Sequence, residues 1–107
     1  MNTITINTGE RKFEFILREP TFEHYQQANL ALQNENGTDT LAAGRYIIKH
    51  CWENGGEVIE GKEGYIKSEE VLFGDESKDE MILKAFISAC FEAYQLLNVF
   101  ESELKKN

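Results

Sequence analysis

A chain of 107 residues is long enough for one domain with a modest hydrophobic core and too short for two, so we expect a single domain over residues 1–107. A hydrophobic fraction of 41% and an aromatic fraction of 11% favour a packed fold over disorder. The net charge of −8 disfavours nucleic-acid binding, because an acidic surface repels the phosphate backbone. Much of this acidity is concentrated in residues 53–80, which hold ten Asp and Glu against three Lys.

The N-terminal residues predict a β-hairpin. Residues 3–7 and 12–18 show alternating patterns typical of strands, and Gly9 lies between them where a short turn favours glycine. A lone hairpin is only marginally stable. We therefore expect it to cover the helices, or to join a sheet from another copy or a partner, and its free edge is a first indication of association.

Two helices of medium length follow. Pro20 disfavours helix at the preceding residue and Thr21 is a good N-cap, which predicts a helix at about 22–34. A run of Asn, Glu and Gly then breaks that helix, and Thr38 or Asp39 caps the next.

The second helix is predicted over residues 39–53, with a broad apolar face. Asn54, Gly55 and Gly56 are expected to end it, since asparagine and glycine interrupt helices. Residues 57–67 contain two short β-prone runs around glycines, which favours a small second hairpin or an excursion loop.

Residues 68–74 predict one helical turn with Ser68 at its start and Gly74 at its end. The clearest element follows, a long helix over residues 78–104. Ser77 and Glu80 have the spacing of a capping box at its start. Its main apolar face contains Ile82, Ala85, Phe86, Ala89, Cys90, Ala93, Leu96, Leu97, Phe100 and Leu104.

The predicted fold is therefore α+β and mainly helical, with an N-terminal β-hairpin followed by a small helical bundle that has a long C-terminal helix. Its expected core contains Phe15, Leu41, Ile48, Ile82, Phe86, Ala89, Ala93 and Leu97. Phe91 and Val99 lie off the main helical face, and Ile87 lies on its flank. We interpret these three as partner-binding residues, and with the free hairpin edge they predict at least a dimer.

The reactive residue types do not form a known chemical motif. Cys51, Cys90, His24 and His50 lack the paired spacings of metal ligands, so no metal or cofactor is expected. His50 and Cys51 are adjacent, and on a helix their side chains diverge by about 100 degrees, which excludes them as a base and nucleophile pair. We expect reduced core thiols and surface imidazoles, and no enzymatic activity.

The chain also lacks targeting signals that we can identify. The N-terminal residues have no basic start followed by an apolar run, so no signal peptide is predicted. No apolar stretch is expected to reach the length of a membrane span, which indicates a cytosolic protein with no membrane partner.

Several of these features together resemble the tail assembly chaperones of long-tailed bacteriophages. The resemblance covers roughly residues 12–104 and is based on a β-leading start, the Pro20-Thr21 helix opening with Tyr25 after it, Cys51-Trp52 before a Gly-Gly loop, and the long apolar final helix. The segment 57–67 looks longer than the usual loop of that family.

The resemblance implies a small, non-enzymatic cytosolic protein of a phage or prophage. Such a protein binds the tape measure protein, keeps its hydrophobic helices soluble and helps to recruit tail tube subunits. Two alternatives remain open. One is an acidic DNA mimic that inhibits a nucleic-acid-binding enzyme, and the other is a structural tail or connector subunit that stays in the particle.

Overall fold

In the computed structural model, helices pack on a four-stranded antiparallel sheet. The structure describes the backbone of residues 1–34 and 37–106 and the side chains of residues 1–33 and 37–99. The strands are β1 (Asn2–Thr8), β2 (Arg11–Leu17), β3 (Gln33–Asn34), β4 (Gly37–Thr38), β5 (Trp52–Val58) and β6 (Tyr65–Ile66). The helices are α1 (Phe22–Leu32), α2 (Thr40–Cys51), α3 (Ser68–Leu72) and α4 (Glu80–Lys106), with a 3-10 turn at Gly74–Glu76. The predicted α+β class is confirmed. The description as mainly helical with a small helical bundle fits only loosely, because a four-stranded sheet forms one layer of the fold.

The N-terminal hairpin is confirmed, and it joins a sheet within its own chain. β1 pairs with β2 from Asn2 opposite Leu17 to Thr8 opposite Arg11. β5 pairs with the other side of β2, and the sheet order is β1-β2-β5-β6. The hairpin therefore does not need another copy to complete a sheet, although β1 remains at the edge.

The prediction that Asn54, Gly55 and Gly56 end the second helix is wrong, because these residues lie inside β5 and α2 already ends at Cys51. Both glycines have left-handed φ values, +144° and +141°. A side chain at Gly55 would meet the Glu14 carbonyl, and one at Gly56 would lie 2.6 Å from the Ile66 carbonyl. The two glycines therefore let β2 and β6 approach β5 closely. Residues 57–67 do form a second hairpin, since β5 pairs with β6.

The helix starts agree with the predictions for α1 and α2. The Thr21 hydroxyl accepts a hydrogen bond from the His24 backbone N–H, and the Thr21 N–H donates to His24 Nδ1. Asp39 caps α2, with its Oδ1 accepting from the Ala42 N–H at 3.0 Å. Short polar side chains at these positions satisfy backbone donors that the helix itself leaves unpaired.

The helical turn predicted over residues 68–74 is confirmed as α3, but Ser68 does not cap it, and the capping box predicted for α4 is wrong. α4 begins at Glu80 with Asp79 as its cap, since Asp79 Oδ1 accepts from the Met81 N–H at 3.0 Å. The Ser77 hydroxyl instead accepts from the Asp79 N–H. Ser68 lies inside α3 and its hydroxyl donates to the Gly55 carbonyl, so it ties α3 to β5.

The core lies between the sheet and the two helices α2 and α4. Of the predicted core residues, Phe15, Ile48, Ile82, Phe86, Ala89, Ala93 and Leu97 are buried. Leu41 is a correction: it is 37% exposed, because it lies on the first turn of α2 on the rim of a cleft against α4. The side chains of Phe100 and Leu104, predicted on the main face of α4, lie outside the described residues.

One helix in the described part of the chain is long and apolar enough to cross a membrane, which corrects the expectation that no stretch would reach that length. It is Glu80–Val99, with a mean hydropathy of 1.2. Length and composition are the only criteria that it meets, and the core helix of a soluble protein meets them too. In this fold, 39% of the 18-residue apolar stretch that meets these criteria is buried, where α4 packs against α2 and the sheet.

Candidate interaction surface

Ile87, Phe91 and Val99, the predicted partner-binding residues, are exposed apolar side chains on the outer face of α4. Their exposed fractions are 37%, 49% and 56%, respectively. Ile87 and Phe91 are one turn apart and lie on the same side of the helix. Val99 is displaced from Phe91 by about 80 degrees around the helix axis. The structure therefore brings Ile87 and Phe91 together as a pair and places Val99 apart from them.

A cleft between α2 and α4 is lined by Ile87, one turn before Phe91. Its volume is about 230 Å³, and Leu41 and Ile87 are its exposed apolar wall residues. Phe86 and Cys90 of α4 also line it. We call this cleft, together with Phe91, the α2/α4 groove. Leu41 was assigned to the core from the sequence, so its place in the groove was missed.

The groove exists because α2 and α4 approach closely on one side of it. Gly44 of α2 is buried, and a side chain there would collide with the backbone carbonyl of Cys90 on α4. α4 contributes the small buried residues Ala85, Ala89 and Ala93 to the core. Small residues allow two helix backbones to pack at short distance, and the larger Leu41 and Ile87 then remain near the surface.

Charged groups form one end of the groove. Arg45 Nε lies 2.8 Å from Asp75 Oδ2, and Lys49 Nζ lies 3.1 Å from Asp75 Oδ1. Lys49 also lies over the Phe73 ring, 4.9 Å from its centroid. Asp75 therefore joins α2 to the segment before α4, and the charged residues that line the cleft are Asp39, Asp75 and Arg45.

A second charged cluster fixes the start of α4. The Arg11 guanidinium donates to both carboxylate oxygens of Glu57, at 2.9 and 2.8 Å, and also to Asp79. Hydrogen bonding to Arg11 lowers the pKa of Glu57 and of Asp79, and the bond to Glu57 raises the pKa of Arg11. We call these three residues the Arg11 clamp. It connects the β1–β2 turn, β5 and α4.

The clamp and Asp75 change how the acidic segment is interpreted. Glu57, Asp75 and Asp79 belong to residues 53–80, where the sequence shows a concentrated negative charge. All three carboxylates form ion pairs with cations from elsewhere in the chain. Part of that acidity therefore holds the fold together and is not available to a partner.

The structure places Cys51 beside His24, which the sequence did not indicate. Cys51 Sγ lies 3.5 Å from His24 Nδ1, and the same nitrogen accepts from the Thr21 N–H, so the ring proton is assigned to Nε2. Burial raises the pKa of the Cys51 thiol. A fully buried, protonated thiol is a poor nucleophile for an external substrate, so we interpret the pair as a packing contact between α1 and α2.

The predictions of a core thiol at Cys90 and a surface imidazole at His50 are confirmed. Cys90 is buried, and burial raises its pKa to about 12. His50 is exposed and stacks on Tyr46, with ring centroids 4.0 Å apart. His24 is half-buried, so the expectation of a surface imidazole is wrong for that residue. Among the residues that the structure describes, no three His, Cys, Asp or Glu side chains are grouped to hold a metal ion.

The chain matches no protein-family model, and no curated protein and no solved structure matches it.

Proposed function

We propose that this protein is a tail assembly chaperone of a long-tailed phage or prophage, acting in the cytoplasm of the host cell. In this role it binds a hydrophobic helical segment of the tape measure protein and aids tail tube assembly. It performs no chemistry on its partners. The proposal combines the sequence resemblance with the α2/α4 groove.

The observation that supports the proposal most directly is the exposed Ile87, which lines the cleft together with Leu41 and has the exposed Phe91 one turn away. Amphipathic helices bind in grooves of this kind, with apolar side chains one turn apart entering the groove. Exposed apolar side chains grouped on one surface are typical of interaction sites. A client helix rich in apolar residues has the chemistry that this surface recognises.

The charge balance supports the same role. A chaperone for hydrophobic helices must keep the complex in solution, and net charge well away from zero opposes aggregation. The chain carries a net charge of −8, and the groove combines apolar wall residues such as Leu41 and Ile87 with the charged residues Asp39, Asp75 and Arg45.

The DNA-mimic alternative has weaker support. Such an inhibitor needs an ordered array of carboxylates facing its target. Glu57, Asp75 and Asp79 are instead paired with Arg11, Arg45 or Lys49. The structural-subunit alternative shares the fold, and only the presence of the protein in purified particles would distinguish it.

Co-expression with fragments of a tape measure protein tests the proposal. We expect the wild-type protein to retain at least one fragment in the soluble fraction and in a pull-down. Ile87→Ser should reduce retention by about fivefold or more, because an apolar contact at the centre of an interface is replaced by a hydroxyl. Leu30→Ser is the matched control, since Leu30 is an exposed aliphatic residue on α1, outside the groove.

Three results would contradict the proposal. No fragment is retained; Ile87→Ser and Leu30→Ser behave alike; or the protein is found in purified virions. Salt-sensitive capture of a nuclease, in place of a tape measure fragment, would support the DNA mimic.

A further inference from the structure

Strand β1 forms a long, uncharged edge of the sheet. It pairs with β2 on one side, and the sheet order leaves its other side without a neighbouring strand among the described residues. Its seven residues, Asn-Thr-Ile-Thr-Ile-Asn-Thr, include no charge, no proline and no glycine. Natural proteins usually protect edge strands with charged residues, proline or bulges, since an open edge is a template for pairing with another strand. β1 has none of these three protections, and α4 packs against the face that carries Ile4 and Ile6.

The opposite edge of the sheet is different. β6 has only two residues, Tyr65 and Ile66, between Gly64 and Lys67. A short edge strand next to a lysine follows the usual pattern for preventing association. Any extension of the sheet is therefore expected at β1.

The sequence of β1 is almost symmetric about Thr5. In an antiparallel pair of two identical strands centred there, Thr5 lies opposite Thr5, Ile4 opposite Ile6, and Thr3 opposite Asn7. Each pair joins residues of the same face, because side chains alternate along a strand. Ile4 and Ile6 are on the face packed against the core, whereas Thr3, Thr5 and Asn7 are exposed. This pairing would continue both faces of the sheet without a mismatch.

Charge makes a second copy a suitable occupant for this edge. Two molecules that each carry a net charge of −8 repel one another, so a self-contact is expected where charge is absent. β1 is such a segment, and β-branched and Thr–Thr cross-strand pairs are favourable. Ile6 is only partly buried, and Ile4 of the second copy would cover its remaining surface.

We propose that β1 pairs with β1 of a second copy across a two-fold axis at Thr5, and that this joins the two four-stranded sheets into one antiparallel sheet of eight strands. The α2/α4 groove is a separate surface, because none of the residues that line its cleft lies on β1. The inference does not depend on the proposed function, because no client takes part in the strand pairing. A seven-residue strand pair buries less than the roughly 1,200 Å² of a stable interface, so the dimer should form and dissociate with concentration.

Cysteine cross-linking tests the register. Cys51 and Cys90 are buried, so a cysteine introduced on β1 is the reactive thiol under native conditions. Thr5→Cys should form a disulfide-linked dimer on mild oxidation, because side chains directly opposite on paired strands have Cβ atoms about 4.5–5.5 Å apart. Thr3→Cys alone should not, since its symmetry mate is four residues away, about 13 Å. An equal mixture of Thr3→Cys and Asn7→Cys should give the mixed dimer, identified by intact mass.

A charge substitution tests the axis without a covalent bond. Thr5→Lys places two ammonium groups opposite each other and should weaken dimerisation about threefold or more, as measured by light scattering over a range of concentrations. Thr3→Lys is the matched control, because it adds the same charge to the same edge but faces Asn7. In Thr5→Lys the new ammonium group would lie opposite Glu14 of its own chain, so folding should be kept, and circular dichroism checks this.

A wild-type protein that stays monomeric at high concentration would overturn the proposal. It would also be overturned by a dimer that Thr5→Lys leaves unchanged, or by oxidation that links Thr3→Cys to itself and not to Asn7→Cys. Cross-linking in the predicted pattern, together with selective weakening by Thr5→Lys, would support it, whatever the outcome of the tape measure experiment.

Discussion

The two faces of α4 are both apolar, but they differ in what covers them. On the inner face, Ile82, Phe86 and Leu97 are almost fully buried against the sheet and α2. On the outer face, Ile87 and Phe91 expose 37% and 49% of their surface. The apolar content of a helix therefore indicates how much apolar surface it presents. Only the tertiary contacts show which part of that surface is buried within the same chain.

Small residues on the inner face allow α2 to pack closely against α4. Ala85, Ala89 and Ala93 are buried on the inner side, and Gly44 of α2 lies directly against the α4 backbone. This close approach brings α2 onto one side of α4 and leaves the other side open. Substitutions that change one face or one end of α4 at a time test this difference, and Phe86→Ala is expected to have the largest effect on the free energy of unfolding.

Phe86→Ala should cause the largest loss of stability, about 3–5 kcal/mol, because it removes a buried ring from the core. Phe86 is 1% exposed, and its ring centroid lies 6.4 Å from that of Phe15. Urea denaturation followed by circular dichroism measures the change. A midpoint equal to that of the wild type would show that the inner face is not the core.

Gly44→Ala should destabilise the protein by about 1–3 kcal/mol, although the same change within an exposed helix is normally stabilising. The reason is that the new methyl group would overlap the Cys90 backbone, which cannot rotate away as a side chain can. Asn29→Ala on the exposed side of α1 is the control and should be neutral or stabilising. A raised melting temperature for Gly44→Ala would contradict the close approach of α2 and α4.

Glu57→Gln should cost about 1–3 kcal/mol near neutral pH, because it weakens the charged hydrogen bonds of the Arg11 clamp at the start of α4. The pKa of Glu57 is lowered by its hydrogen bond to Arg11, so its contribution is present above its ordinary pKa of 4.5. That contribution is lost as the pH falls through the lowered value.

Unfolding curves measured between neutral and acidic pH check this sign. The stability difference between wild type and Glu57→Gln should shrink as the pH falls below about 4.5. Glu53→Gln, an exposed position on the same strand, is the control. A difference that does not depend on pH would show that the charge of Glu57 contributes nothing to the clamp.

The features that the sequence predicted well are local. Thr21 was identified as a cap from residue type and position, the cap of α2 was narrowed to Thr38 or Asp39, and the hairpin was identified from alternation around Gly9. The long helix was identified from a periodicity that repeats over many turns. In each case neighbouring residues determine the structure, so a short window of sequence contains the relevant information.

The features that were missed depend on distant contacts. β5 reads Trp-Glu-Asn-Gly-Gly-Glu-Val, which has little strand character, and it becomes a strand because β2 supplies hydrogen-bonding partners. The Arg11 clamp joins residues 46 and 68 positions apart. Leu41 has a core-like side chain, and its exposure follows from where α2 meets α4. No local pattern contains these relationships.

Phe91→Ala should have the smallest effect on stability of the four changes, about 1 kcal/mol or less. The ring is 49% exposed, so its removal forfeits roughly half of the 1.5–3 kcal/mol that full burial provides. Alanine has a higher helix propensity than phenylalanine, which offsets about half a kcal/mol of that loss. Urea denaturation beside Phe86→Ala, the same substitution on the inner face five residues earlier, provides the measurement. A loss above about 2 kcal/mol would mean that Phe91 is packed by its own chain, and the outer face of α4 could then no longer be interpreted as a surface kept open for a partner.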